Sequence, residues 1–307
     1  MNILAQLEFK NNKERIGAIS TFIGGVLWGI NGTLGGYLFT QKNITANWLV
    51  PHRLFFAGLF MLIFIYFKDK SKLFKIWRNK TDAIKLIFFG LIGTLGIQYS
   101  YFITIQYSNP SVATILQYFG PTLILIYICF KEKRAPKKYE IISLILSSTG
   151  IFLLATHGNL NKLFIPPRAL FWGLLSAIIV VIYTLQPVKL IKKYSTIPVL
   201  GWGMIIAGIC LTFFTQPWKE TGNFDLTTLI VFLCIVIFGT ITSFALYSYG
   251  VSIIGGVRGS MIACIEPVSA TFFSIIFLKT NFTFLDLIGF IFVLSTVFIV
   301  AYFGKEK

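Results

Sequence analysis

The chain reads as an all-α polytopic membrane protein, ten transmembrane helices arranged as two five-helix repeats of inverted topology. Three observations predict this. Of 307 residues, 56% are hydrophobic and only 12% charged, with a mean hydropathy of +0.78, a balance outside that of soluble domains. Long apolar runs recur along the whole length, and one half slides onto the other without a gap. A crossing helix takes roughly 20 apolar residues against about 30 Å of hydrocarbon, so ten of them use about 200 residues and leave the rest for connections. No room remains for a second, soluble domain.

The apolar runs bounded by charge fall at about 16–38, 46–67, 84–106, 111–130, 139–157, 168–189, 197–216, 227–249, 254–278 and 283–303. The first follows a charged stretch and exceeds a signal peptide's apolar region, with no small-residue cleavage pattern, so it is expected to stay as a helix with the chain beginning near Met1. Lys and Arg then fix the orientation. Nineteen of them lie in the N-terminal tail, the connections at 68–80, 131–138 and 189–193, and the C-terminus. The opposite side has five, Lys42, Lys162, Arg168, Lys219 and Lys279. By the positive-inside bias both termini are cytoplasmic in the cell membrane, and the formal charge of +16 is topological. It needs no nucleic acid, though anionic headgroups are drawn to that face, so membrane lipids are expected partners.

Cys129, Cys210, Cys234 and Cys264 all fall in apolar spans with no C-x-x-C pair and no His at ligand spacing, so no metal is expected. No phosphate loop, H-E-x-x-H or G-x-S-x-G occurs, which leaves nucleotide hydrolysis and the common hydrolases without a sequence basis. No cofactor and no catalytic residue are expected, and the chain is not read as an enzyme.

An offset of 146 brings Gly93-Thr94 onto Gly239-Thr240, Tyr101 onto Tyr247, Thr114 onto Ser260, Pro121 onto Pro267 and Ala155 onto Ala301. An offset of 155 brings Gly17 onto Trp172, Trp28 onto Tyr183 and Asn31 onto Gln186. The predicted repeats are 16–157 and 168–303, with short tails at 1–15 and 304–307. Five spans per half is an odd number, so the second half enters the bilayer from the opposite side. Two inverted halves around one site exchange shapes and open it to one face and then the other, which is a transporter architecture.

With these features the chain resembles the EamA-type members of the drug/metabolite transporter superfamily. The likeness is carried by Trp28-Gly29, Arg53, Gly93-Thr94 with Tyr101, Ser111 to Pro121, and Glu266-Pro267. The resemblance implies ten spans in two repeats and a carrier of small metabolites with a central cavity. One departure stands out: span 4 ends in Phe130-Lys131-Glu132 but span 9 in Leu278-Lys279-Thr280, so the second copy lacks the acid that many relatives carry there.

Glu266 is the sharpest candidate. It lies about 18 Å from the cytoplasmic side at 1.5 Å per residue, where a carboxylate must be protonated, paired or exposed to a water-filled cavity. Its alternative role is to hold backbone groups freed by Pro267. Arg53, about 10 Å deep from the outer face, shares its depth, so the two form a candidate coupling or ion pair, with snorkelling of Arg53 as the alternative. Arg258 is expected to reach cytoplasmic phosphate. Polar faces at helical spacing add Trp28 and Asn31; Gln98 and Tyr101; and Thr114 and Gln117, with Tyr118 as an alternative to Gln117. Their repeat mates Tyr183, Gln186, Tyr247 and Ser260 complete a candidate solute cavity around Glu266. Pro121 and Pro267, at matching mid-span positions, are candidate hinges. The pairs Gly25/Gly29, Gly32/Gly36 and Gly255/Gly259 read as helix packing. The expected activity is alternating-access movement of a small organic metabolite, such as an amino acid, an amine or a related solute, with Glu266 as a proton site and the protein a monomer or homodimer. A non-transporting sensor or assembly partner for lipid precursors is the rival reading.

Overall fold

A computed structural model describes residues 3–159 and 163–303. Among these the secondary structure is helical, with no strand. In chain order the long helices are α1 (Ile3–Gln41), α2 (Ala46–Arg78), α3 (Lys80–Tyr107), α4 (Pro110–Glu132), α5 (Lys138–Thr156), α6 (Pro167–Leu185), α7 (Thr196–Thr215), α8 (Leu226–Ile254), α9 (Arg258–Leu278) and α10 (Phe284–Phe303). The first nine contain windows long and apolar enough to cross a membrane, and α10 is an apolar helix of 20 residues. Lys162, Lys305 and Lys307, and the tail at 304–307, lie outside the described residues.

Their order in sequence is not their order in space. Helix α1 packs on α8 and α9 of the other half, and α6 packs on α3 and α4, so each half lends its first helix to the other. Helix α2 lies along α7, and α5 along α10. Glycines make those last two contacts close. A Cβ on Gly58 would stand 2.8 Å from the Gly201 carbonyl oxygen and 2.9 Å from the Ile205 nitrogen, while one on Gly208 would meet the Phe55 nitrogen at 2.7 Å and the Pro51 oxygen at 3.1 Å. Adding 150 to Pro51, Phe55 and Gly58 returns Gly201, Ile205 and Gly208, so the contact maps onto itself under exchange of halves. Gly150 and Gly289 face each other reciprocally in the same way. The repeats are therefore related by a pseudo-two-fold axis, which is the inverted topology the odd span count requires.

Local irregularities repeat with the same symmetry. Helices α3 and α8 each contain a π-helical turn, Phe89–Thr94 and Ile237–Thr242, at the duplicated Gly-Thr pair. Helices α4 and α9 each break where one residue leaves helical ψ, at Tyr118 (φ −66°, ψ −3°) and Cys264 (φ −60°, ψ −6°), which are 146 apart. The last turns end on Lys133 and Lys279, both left-handed and again 146 apart. Gly255, expected as a packing glycine, sits instead at φ +84° in the connection before α9, a conformation glycine adopts without strain. The α6 boundary also differs from expectation. Pro187 follows its last turn, and the remainder of the predicted run becomes a separate short helix, Val188–Tyr194.

Ion pairs hold the ends. Lys42 Nζ lies 2.6 Å from Asp225 Oδ2, joining the α1–α2 connection to the start of α8, and Asp225 caps α8 by accepting from the Thr228 amide. The Lys42 hydrogen bond and that amide hold the Asp225 carboxyl down at about 2. At the other end Lys193 and Tyr194 both bond Asp82, and Arg134 grips Glu140 through two nitrogens at 2.7 and 2.8 Å. Arg258, expected to face phosphate, is paired with Glu14 of α1 at 3.3 Å.

Because Gly58 and Gly208 occupy equivalent places against backbone atoms, Gly58→Ala and Gly208→Ala should each destabilise the protein by about 1–3 kcal/mol through overpacking. Thermal unfolding of the purified protein in one detergent checks this, and the two losses should match.

Candidate functional site: a central cavity between the halves

Helices from both halves surround one cavity of about 160 Å³. It is lined by Trp28 and Asn31 of α1, Arg53 of α2, Ile97, Gln98 and Tyr101 of α3, Gln117 of α4, Tyr183 of α6, Phe244 of α8 and Glu266 of α9. Pockets for drug-sized ligands run to about 300–1,000 Å³, so this space suits a small solute.

Arg53 is 1% exposed, which removes the snorkelling alternative. Its guanidinium donates to the side-chain oxygen of Gln98 and lies 4.4 Å from the Phe102 ring centre, while its Nε has no partner. Burying a cation without a carboxylate costs several kcal/mol even after relaxation, and here an amide and an aromatic face offset part of that. Arg53 and Glu266 line the same cavity, but among the described residues no ion pair joins them. Gln98 and Phe102, both from α3, hold Arg53 on the other wall.

Glu266 stands in the first turn of Ile265–Leu278, the half-helix that follows the α9 break, where the helix dipole favours a carboxylate. Its Oε2 accepts from the Tyr118 hydroxyl at 3.3 Å. The same hydroxyl lies closer, at 3.0 Å, to the Ala263 carbonyl, so its single hydrogen is shared between the two acceptors. That carbonyl is the one Pro267 leaves open, because the bond from residue i to i−4 needs an N–H that proline lacks. The freed group is therefore satisfied by Tyr118 from α4, and Glu266 is not needed for it. Gly29 of α1 closes the packing behind Glu266, since a Cβ there would lie 2.7 Å from the Glu266 backbone oxygen.

The remaining predicted residues divide. The Tyr101 hydroxyl is 2.9 Å from Thr114 Oγ1, which itself donates to the Pro110 carbonyl at 2.8 Å, so Thr114 orients Tyr101 from behind the wall. Gln117 donates to Ser176 Oγ at 2.7 Å. Tyr247 packs on Trp28 with ring centres 4.8 Å apart, one layer outside the cavity. Ser260 lies in the half-helix before the α9 break, where its carbonyl receives the Cys264 thiol, and it does not line the cavity. Gln186 is displaced altogether. Pro187 ends α6, so Gln186 caps its C-terminus and donates to the Lys85 carbonyl at 2.8 Å, near the start of α3. Pro121 and Pro267 follow their breaks, each in the first turn of the second half-helix, so each proline acts on the turn before it. The backbone leaves helical geometry a few residues earlier, at Tyr118 and Cys264.

Comparison with known proteins bears on this architecture. The model of the EamA-like transporter family matches residues 15–156 and again 167–302. The chain belongs to the EamA-like transporter family. This EamA-like chain is 36% identical over 295 residues to an uncharacterized inner membrane transporter, YicL, of Salmonella typhimurium, covering 95% of this chain and 97% of that protein. It is 20% identical over 253 residues to an uncharacterized transporter, YyaM, of Bacillus subtilis, covering 76% and 79%. A crystal structure with 13% identity shares the fold at a TM-score of 0.62, covering 95% of this chain and 99% of that one. The protein is thus a membrane transporter. In this EamA-like chain, sequence reasoning did not single out Ile97 or Phe244, which are apolar residues in apolar spans, nor Ser176, which the α6 periodicity marks as polar.

Tyr118→Phe should leave the Ala263 carbonyl without a donor. A buried unsatisfied acceptor costs about 1–3 kcal/mol, so the unfolding midpoint should fall while the protein remains monodisperse.

Proposed function

We propose that this transporter is a secondary carrier of a small organic metabolite, an amino acid, an amine or a related solute, working by alternating access. The observation that carries the reading is the cavity's charge layout. A buried guanidinium and a carboxylate line one small space between two inverted halves, and neither neutralises the other. A solute with an acidic group complements Arg53, and its amine, or a proton, complements Glu266. Trp28 and Tyr183 supply the aromatic walls that hold an organic body or a cationic amine. The paired breaks at Tyr118 and Cys264 are joints where half-helices can reorient without exposing backbone to lipid, because Tyr118 follows the freed carbonyl.

In this reading the carrier sits in the cytoplasmic membrane with both termini cytoplasmic, in two repeats at 16–157 and 168–303. Glu266 loads a proton when the site faces one side and releases it when the site faces the other, which couples flux to the proton gradient. Glu266→Gln, which keeps shape and loses titration, should then abolish pH-driven accumulation in proteoliposomes but spare solute exchange. Undiminished accumulation by that variant would remove Glu266 as the coupling site.

A further inference from the structure

A second, larger space opens beside the central cavity. It occupies about 620 Å³ between the ends of α2 and α8 and the start of α7, at the end of the bundle that carries Lys68 and Lys72. One face of α8 walls it at helical spacing through Ile241, Phe244 and Ser248, and α2 faces them with Phe60, Phe64 and Lys68. Phe244 is the one residue that lines both this chamber and the central cavity. Its ring stands edge-on to Trp28 with centres 5.1 Å apart, so it closes the chamber toward the cavity.

The mouth of the chamber is not electrically neutral. Helix α2 leaves helical geometry at Asp69 (φ −161°, ψ 82°), and there Asp69 is neutralised by Lys72 at 2.9 Å and accepts from the Ser71 hydroxyl at 2.6 Å. Lys68 has no ion-pair partner among the described residues, and its ammonium lies 5.6 Å from the Phe64 ring centre. The chamber thus offers aromatic walls and one unneutralised cation at the rim. Its repeat symmetry is broken at the decisive place, because the residue 146 before Phe244 is Gln98, the amide that holds Arg53. The polar member of the pair keeps the cation, and the aromatic member separates the two spaces.

We propose that this chamber is a second solute station for an amphipathic organic anion, with the apolar body against Phe60 and Phe64 and the acid at Lys68, and that Phe244 is the partition the solute passes to reach Arg53. The proposal rests on the carrier reading above for the destination of the solute, but the chamber and its partition are tested without flux.

The test uses full-length protein with Cys129, Cys210, Cys234 and Cys264 replaced by serine, reconstituted in vesicles. One reporter thiol is placed in the chamber, Ser248→Cys, or in the cavity wall, Ile97→Cys. A water-soluble maleimide is added from the side of the basic connections. The chamber thiol should react in every background. The cavity thiol should react slowly with Phe244 in place, faster by about tenfold or more with Phe244→Ala, and no faster with Phe244→Trp, as for a minor open state of about 0.1–10%. Phe244→Leu, which keeps an apolar core residue, gives an intermediate rate and guards against misfolding of the alanine variant. 1-Naphthoate should slow labelling of Ser248→Cys, lose that effect in Lys68→Gln, and outperform 1-naphthylmethylammonium. A cavity thiol indifferent to Phe244, with the chamber thiol reactive, overturns the partition. Equal protection by the acid and the amine, or by neither, overturns the station. Absence of flux with the labelling pattern intact would instead remove the carrier reading and leave the chamber standing.

Discussion

Inside a bilayer no water is available for a backbone group that loses its partner, so a helix can break there only where protein supplies a substitute. The bond from the Tyr118 hydroxyl to the Ala263 carbonyl is that substitute. It lets Pro267 interrupt α9 in mid-span, and the interruption turns Glu266 into a first-turn residue of a new half-helix, facing the cavity. The same hydroxyl reaches the Glu266 carboxyl, so one side chain from the first half sets both the backbone and the charge of the second. Helix α1 packs on the same half-helix at Gly29 and carries Trp28 into the cavity wall.

The scaffold is nearly symmetric and the site is not. The two glycine contacts between α2 and α7, the two π turns, the two breaks and the two left-handed lysines all obey the exchange of halves. In the proposed carrier, symmetry of this kind is what would let the two interlocked halves exchange conformations. The chemistry sits where the exchange fails. Glu266 corresponds to Gly120, Tyr118 to Cys264 and Gln98 to Phe244. One wall therefore holds the fixed cation and the other the titratable acid, and the two do not cancel.

Much of this was legible in the sequence because a polar side chain in an apolar helix is conspicuous. Trp28, Asn31, Arg53, Gln98, Tyr101, Gln117, Tyr183 and Glu266 stood out against their surroundings, and the structure gathers them around one space. Ile97 and Phe244 line it too, but an apolar residue in an apolar span carries no contrast. Gln186 was misplaced because an offset assumes helices of equal length, whereas Pro187 ends α6 early. The breaks were legible only through their prolines. A proline acts on the turn before it, where its ring crowds the chain and its missing N–H leaves a carbonyl open, so the joints lie at Tyr118 and Cys264. The partner of that carbonyl comes from another helix, and no local pattern encodes it.

The central claim is that Arg53 and Glu266 together form one solute site. The most direct measurement is thermal stabilisation of the purified protein by a panel of amino acids, amines, nucleosides and sugar derivatives at two pH values. A ligand at 100 times its Kd adds about 2.7 kcal/mol of apparent stability. The account predicts a stabilising solute that carries an acidic group, with a pH-dependent effect lost in Glu266→Gln and, independently, in Arg53→Gln. A solute that stabilises both variants as well as the unaltered protein would contradict it and move the binding site out of this cavity.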